Sequence, residues 1–242
     1  MIDTHAHIRQ GDEQKIEGLE CVILSASNLS DSAENIRLAE TNEKLLPAIG
    51  IHPQDIPGNV DGTLVKLEEL LKEHKEIVAV GECGLDFSRE YDLNTQVRVF
   101  KGQIELSQKY NKPLIIHSRK AMDETIEILA SYQNLRGVIH CYSGGKKRIN
   151  KILNMNGDWY FGIDGNLTYE PGLQEVLMGI PKDRLVLETD SPELTPVPFR
   201  GETNFPEYVK YVYEMVSKLW GLSFEDTENQ IDKNAWQLFK LR

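Results

Sequence analysis

Eight short apolar runs, segments of helical pattern between them and a length of 242 residues together predict an α/β chain of the (β/α)8, or TIM, barrel class. The runs begin at Met1 (MIDTHAH), Leu19 (LECVILSAS), Leu45 (LLPAIGIH), Ile77 (IVAVGECGLD), Lys112 (KPLIIHS), Arg136 (RGVIHCYS), Trp159 (WYFGIDG) and Arg184 (RLVLETDSP). They are apolar over consecutive positions, the pattern of parallel strands covered on both faces.

The segments between the runs carry helix formers. DGTLVKLEELLKEHKE is one; NTQVRVFKGQIELSQKYN is another, with Val97, Phe100, Ile104 and Leu106 as its inner stripe. Asp61 and Asn94 are the expected N-caps. Two tail helices are expected around 205–220 and 224–241. A doubly wound open sheet shares this alternation, but no GxGxxG or GxxxxGK loop follows any run. No linker, repeat or low-complexity tract divides the chain, so 1–242 reads as one domain.

The composition is that of a soluble globular protein, 40% hydrophobic, with no run approaching a membrane span. The opening MIDTHAHIRQ has neither the basic start nor the apolar centre of a signal peptide, so a cytoplasmic location is expected. Net charge is −11, which argues against a surface built to coat nucleic acid; any nucleic-acid chemistry must be local. The cysteines Cys21, Cys83 and Cys141 show no CxxC spacing and read as free thiols.

The polar residues are not scattered. His5, His7, His52, His117 and His140 all fall at or near the carboxyl ends of the runs, and only His74 falls in a helix. Glu82, in AVGECGLD, and Asp190, in LVLETDSP, join them after the fourth and eighth expected strands. In a parallel barrel these ends converge on one rim, where such folds carry their chemistry. Singly, each has a plainer reading: His5 and His7 as ordinary strand residues, His117 and His140 as hydrogen-bonded strand ends, the acids as caps or partners of lysine. Together, four histidines and two acids are an expensive set of polar groups to cluster unless a divalent centre satisfies them.

Six ligands (His5, His7, Glu82, His117, His140 and Asp190) exceed one tetrahedral ion and suit two ions sharing a carboxylate. Imidazole with carboxylate favours zinc, manganese, cobalt or iron over calcium. The reaction class is metal-assisted hydrolysis, with Asp190 as general base. Glu188, two residues earlier, points the same way along its strand and is expected at the site, holding a ligand or water; a core acid paired to lysine is its alternative. Asp3 reads either as an acceptor behind a ligand histidine or as a strand-edge acid. Cys83 and Cys141 adjoin ligands, and strand alternation turns them into packing.

The stretches DTHAH, GIHP, VGECGLD, LIIHSRKA, GVIHCYSG, LVLETDSP, RGETNFP and NAWQLF, in this order from residue 3 to residue 239, resemble the motifs of the TatD family of metal-dependent deoxyribonucleases. The resemblance implies a TIM barrel hydrolysing DNA phosphodiester bonds, commonly from an end, with two divalent ions (zinc, manganese, cobalt or magnesium). It implies His5 and His7 on one ion, Glu82 as the bridge, His117 and His140 on the second ion, and Asp190 as the acid that activates water. His52 resembles a histidine near the substrate phosphate, and Glu188 an acid beside the site.

Departures from the family pattern surround the ligands: Ile8 and Arg9 where Leu-Asp is usual, Gln54 where many members have His, and Glu193 where an aromatic residue is common. They put substrate preference in question, not chemistry. Arg119, directly at the rim, and Arg200, after the eighth run, are expected phosphate contacts. Lys146 to Arg148 read as a solvated helix face, and Asn204 as a residue that fixes its loop. A small-ester, lactone or amide hydrolase is the alternative, since one barrel serves many hydrolyses. Against it, Glu82 stands where a carbamylated lysine bridges the metals of many cyclic-amide hydrolases. A non-catalytic binding barrel is a third reading, opposed by the intact ligand set.

Overall fold

The computed structural model of the protein describes residues 1–8, 13–88 and 92–241. Every apolar run overlaps a strand: β1 (Ile2–Ala6), β2 (Cys21–Leu24), β3 (Leu45–Ile49), β4 (Ala79–Asp86), β5 (Leu114–Arg119), β6 (Leu135–Ile139), β7 (Gly157–Ile163) and β8 (Leu185–Leu187). All pairings are parallel and in sequential order from β1 to β8. The circuit closes where Ala6 bridges Ser191 and the His7 N–H donates to the Ser191 carbonyl at 2.8 Å.

One apolar cluster takes Ile2 from β1, Ile23 from β2, Ala48 from β3, Ile115 from β5, Val138 from β6 and Val186 from β8. Residues from opposite sides of the circuit touch only inside a barrel, so this cluster is the interior. Its lower end is closed by Ala235, Leu238 and Phe239 of α8 (Phe224–Phe239), the last helix. The larger cluster lies outside, between the strands and α1 (Leu29–Thr41), α2 (Val60–Glu73), α3 (Leu93–Tyr110), α4 (Met122–Ala130), α5 (Lys146–Leu153), α6 (Pro171–Leu177) and α7 (Val209–Trp220).

Details differ from the sequence reading at helix ends, where the cap is chosen by backbone geometry. Asn59, not Asp61, caps α2, its Oδ1 accepting the Gly62 N–H at 3.0 Å. Asp92, not Asn94, caps α3, accepting the N–H groups of Asn94 and Thr95. The tail helix α7 starts at Val209, after a 3-10 turn at Pro206–Tyr208, and α8 ends at Phe239.

The inner face of α3 is also more polar than its apolar stripe suggests. Phe100, Ile104 and Leu106 are buried, Val97 only partly, and Gln96 and Gln103 are buried beside them. Gln103 exchanges two hydrogen bonds with the backbone of Ile51, at 2.8 and 3.0 Å. Gln96 does the same with Asp86, both at 2.9 Å. These amide clamps satisfy backbone groups that leave the strands at β3 and β4, and so hold the segments beside His52 and Glu82.

Candidate metal centre

The rim is assembled by backbone contacts before any side chain is considered. The Asp190 N–H donates to the His5 carbonyl at 2.9 Å, bringing β1 and the segment after β8 together. Asp3 ties the same junction, its Oδ1 accepting the N–H of His5 at 3.2 Å and of Thr189 at 3.0 Å, and its Oδ2 the Thr189 hydroxyl at 2.6 Å. Asp3 thus acts on the His5 backbone and not on its ring. Between β4 and β5, Gly84 has φ +143°, and a Cβ there would lie 1.9 Å from the His117 carbonyl oxygen. Glycine in GECGLD is what lets His117 come alongside Glu82.

The six expected ligands come together as two groups of atoms. In the first, His5 Nε2 lies 3.2 Å from His7 Nε2, 3.5 Å from Glu82 Oε2 and 3.4 Å from Asp190 Oδ1; His7 Nε2 lies 3.6 and 3.8 Å from the same two oxygens. In the second, Glu82 Oε1 lies 2.9 Å from His117 Nδ1 and 2.8 Å from His140 Nε2, which are 3.3 Å apart. Glu82 therefore turns one oxygen to each group.

The spacings of the first group fit a tetrahedral cation. Ligand atoms about 2.1 Å from a tetrahedral ion lie about 3.4 Å from one another. Imidazole nitrogens facing each other at 3.2–3.3 Å repel unless a proton or a cation stands between them. The carboxylates call for positive charge: burial works against protonation of His140, but Glu82 and Glu188 outweigh it and raise the imidazole well above its usual range. His7 and His117 are raised by the same balance. Burial works to raise Glu82 as well, yet the charge of His140 and hydrogen bonds from His117, His140 and His5 hold it well below the usual carboxylate range.

His52 belongs to the same surroundings. Its Nδ1 accepts the Gln54 N–H at 3.1 Å, which leaves the hydrogen on Nε2, 3.7 Å from Glu82 Oε1. A nitrogen carrying hydrogen donates and does not ligate. Burial, helped by the charges of His117 and His140, pushes this imidazole down to about 4, so it is neutral.

A cavity of about 850 Å³ opens over the rim. His7, His52, Glu82, His117, His140 and Asp190 line it, and Arg119 stands at its edge. Arg200 stands outside it, its guanidinium stacked 4.0 Å over the Tyr169 ring. Glu188 is wholly buried behind the histidines: Oε1 accepts the Cys141 N–H at 2.5 Å and lies 3.7 Å from His140 Nδ1. A Cβ on Gly162 would fall 2.3 Å from Glu188 Oε2, so glycine in β7 makes its room. Asn204 fixes its loop as expected, its Nδ2 donating to the carbonyls of Thr189 and Glu193. Lys146 and Arg148 form exposed ion pairs with Glu175 and Asp123. Arg9 lies outside the described residues.

Cys141 corrects the expectation of packing. Cys83 is buried in the core, but Cys141 lines the cavity, its Sγ 3.6 Å from Asp190 Oδ2. β6 ends at Ile139, and at Cys141 the backbone is left-handed (φ 43°), so strand alternation no longer governs where the thiol points. Asp190 is left-handed too (φ 54°); such strain in non-glycine residues gathers at functional sites.

Two acids at the rim went unmarked in the sequence. Asp86, at the end of β4, lies with Oδ2 3.1 Å from His117 Nε2 and accepts a hydrogen bond from the Gln54 side chain. Asp164, after β7, lines the cavity although only 3% exposed, and burial, with the charges of Glu188 and Asp190 behind it, pushes its carboxyl up to about 7. Asp86 ends its strand and Asp164 follows one, and that position was their only signal.

A parallel barrel with paired imidazole–carboxylate groups at its carboxyl rim defines the class of metal-dependent hydrolases. Residues 2–240 match the family model of TatD related DNase. The chain is 32% identical over 256 residues to the uncharacterized metal-dependent hydrolase YabD of Bacillus subtilis, covering 100% of this chain and 99% of that one. It is 32% identical over 236 residues to the 3'-5' ssDNA/RNA exonuclease TatD of Edwardsiella piscicida, covering 93% and 89%. The crystal structure of YjjV, a TatD homologue from Escherichia coli K12, superposes with a TM-score of 0.90 at 27% identity, covering 100% of this chain and 98% of that one. The chain belongs to the TatD family of metal-dependent hydrolases. Among the described residues no helix is long and apolar enough to cross a membrane.

Proposed function

We propose that the chain is a metal-dependent deoxyribonuclease that removes nucleotides from the ends of single-stranded DNA, working as a single barrel unit with two divalent ions. The observation that carries this reading is the division of Glu82 between two sets of nitrogens: Oε2 faces His5 and His7, and Oε1 faces His117 and His140. His5, His7 and Asp190 would hold one ion, His117 and His140 the other, and Glu82 would bridge them; zinc, manganese and cobalt suit the imidazoles, and magnesium the oxygens. What two such ions supply when bound is polarisation of a phosphoryl oxygen and a water of lowered pKa.

The chain's own groups do the rest. Asp190 gives Oδ1 to the first group and keeps Oδ2, on the Cys141 side, to take the proton of the attacking water. His52 donates its Nε2 hydrogen to a phosphate oxygen, and Arg119 adds a charged fork at the cavity edge. Arg200 is withdrawn onto Tyr169, and its contact with phosphate would require the stack to open. Glu188 works from behind, holding the residue after His140, and so is a positioning residue. The likeness to the Edwardsiella piscicida exonuclease supports single strands as substrate.

Metal analysis of protein purified without chelator, alongside hydrolysis of 3'-labelled single-stranded DNA, tests this reading. Two equivalents of metal and release of the label as a mononucleotide are expected. Metal without nuclease activity would favour a hydrolase of small esters, lactones or amides, and failure to bind metal under any loading would end both readings.

A further inference from the structure

A second cavity, of about 640 Å³, opens at the opposite end of the barrel, where the strands begin. Leu46, Val78, Pro113, Trp236 and Phe239 give it an apolar side. Lys75, Lys112, Arg136 and Lys240 also line it. Two of these cations converge on Asn111, Arg136 Nη2 donating to its carbonyl at 3.1 Å and Lys240 Nζ to its Oδ1 at 3.4 Å, and the neighbouring Lys112 donates Nζ to the carbonyls of Lys75 and Ile77.

None of the four is in ion-pair contact with a carboxylate among the described residues. Glu20, Glu43 and Glu76 are in the same wall, but Glu76 is taken by His74, 2.8 Å away. Arg136 Nε is buried with no partner at all. Burial, with the charges of Lys75 and Arg136 added, pushes the Lys112 ammonium down, and burial does the same to Arg136. Four cations thus face three carboxylates in this wall without an ion pair between them, and the half-buried Lys112 and Arg136 carry a desolvation cost that a bound anion would offset. The size and the mixed wall are those of a small-ligand site.

We propose that this cavity binds a small organic anion, a phosphate monoester or a carboxylate joined to a flat ring, with its head on Arg136, Lys112 and Lys240 and its ring against Trp236 and Phe239. Arg136 supplies directional donors, Lys112 and Lys240 supply charge, and the aromatic wall accepts a ring by stacking. This site is independent of the metal centre, which lies at the other end of the strands.

Tryptophan fluorescence of the metal-loaded full chain tests the proposal, titrated separately with deoxyadenosine monophosphate, benzoate and inorganic phosphate. A saturable change is expected with a ring-bearing anion and a weaker one with phosphate; which of the two ring-bearing probes binds tighter identifies the head group. The change should vanish in Trp236→Phe, which ties it to this cavity and not to the rim. Arg136→Gln and Lys240→Glu should each raise Kd about tenfold or more. Arg136 lies in a strand and its replacement can perturb folding; Lys240 is exposed, so that variant alone keeps the test decisive. No saturable change with any probe up to about 10 mM, or an unchanged Kd in Lys240→Glu, overturns the proposal.

Discussion

Asp86 Oδ2 lies 3.1 Å from His117 Nε2, on the side of the ring opposite Glu82. The carboxylate takes the Nε2 hydrogen and leaves the Nδ1 lone pair aimed at the second group of ligand atoms. Asp86→Asn is therefore expected to weaken metal binding about 10- to 100-fold, the usual cost of losing such a partner. Competition with a fluorescent chelator measures it, and unchanged affinity would show that the ring needs no orienting acid.

Asp190→Asn should leave the barrel folded and lower turnover on single-stranded DNA by about 100-fold or more, the range of a lost general base. Single-turnover rates at saturating metal separate this from weaker metal binding. A near wild-type rate would remove Asp190 from the role of base.

Asp164 makes the metal-free protein less stable as pH rises. Its folded carboxyl titrates at about 7 and its unfolded one near the ordinary aspartate value of 3.8, so between these values the folded chain holds a proton that the unfolded chain has released. Stability from this group is complete below the unfolded value and is lost as pH climbs towards the folded one. Asp164→Asn has no such proton. In chelator, its stability relative to wild type should increase from about pH 4 to pH 7, by up to roughly 4 kcal/mol. Urea unfolding across that window reads the difference, and a constant offset would refute it.

Phe100 is wholly buried on α3, against the outside of the sheet. Phe100→Ala should cost about 3–5 kcal/mol by denaturant unfolding. Because the residue contributes nothing to the rim, metal affinity of the folded fraction should stay within about twofold.

His74 is the one histidine away from the rim; it ends α2 with its ring 2.8 Å from Glu76. This pair lies at the surface, so His74→Gln should change stability by less than about 1 kcal/mol. Turnover and metal content should match wild type in side-by-side assays.

The strands and the cluster of candidate ligands at the rim were legible in the sequence because both follow from local pattern. Consecutive apolar residues fix a doubly covered strand, and a histidine or acid at the end of such a strand has one rim to face. His5, His7, Glu82, His117, His140 and Asp190 were singled out this way, and the fold brings their polar atoms close to one another at the rim. The tertiary structure alone decided the rest. Cys141 turns to the cavity because the chain leaves β geometry after Ile139, where alternation has no force. Asp86 and Asp164 became site residues through neighbours far along the chain, His117 and Glu188, which no local window contains. Arg200 stacks on Tyr169 for the same reason, and Asn59 and Asp92 cap their helices because capping depends on where the backbone first turns. Periodicity governs which face a residue takes within one element; long-range contact governs what it meets there.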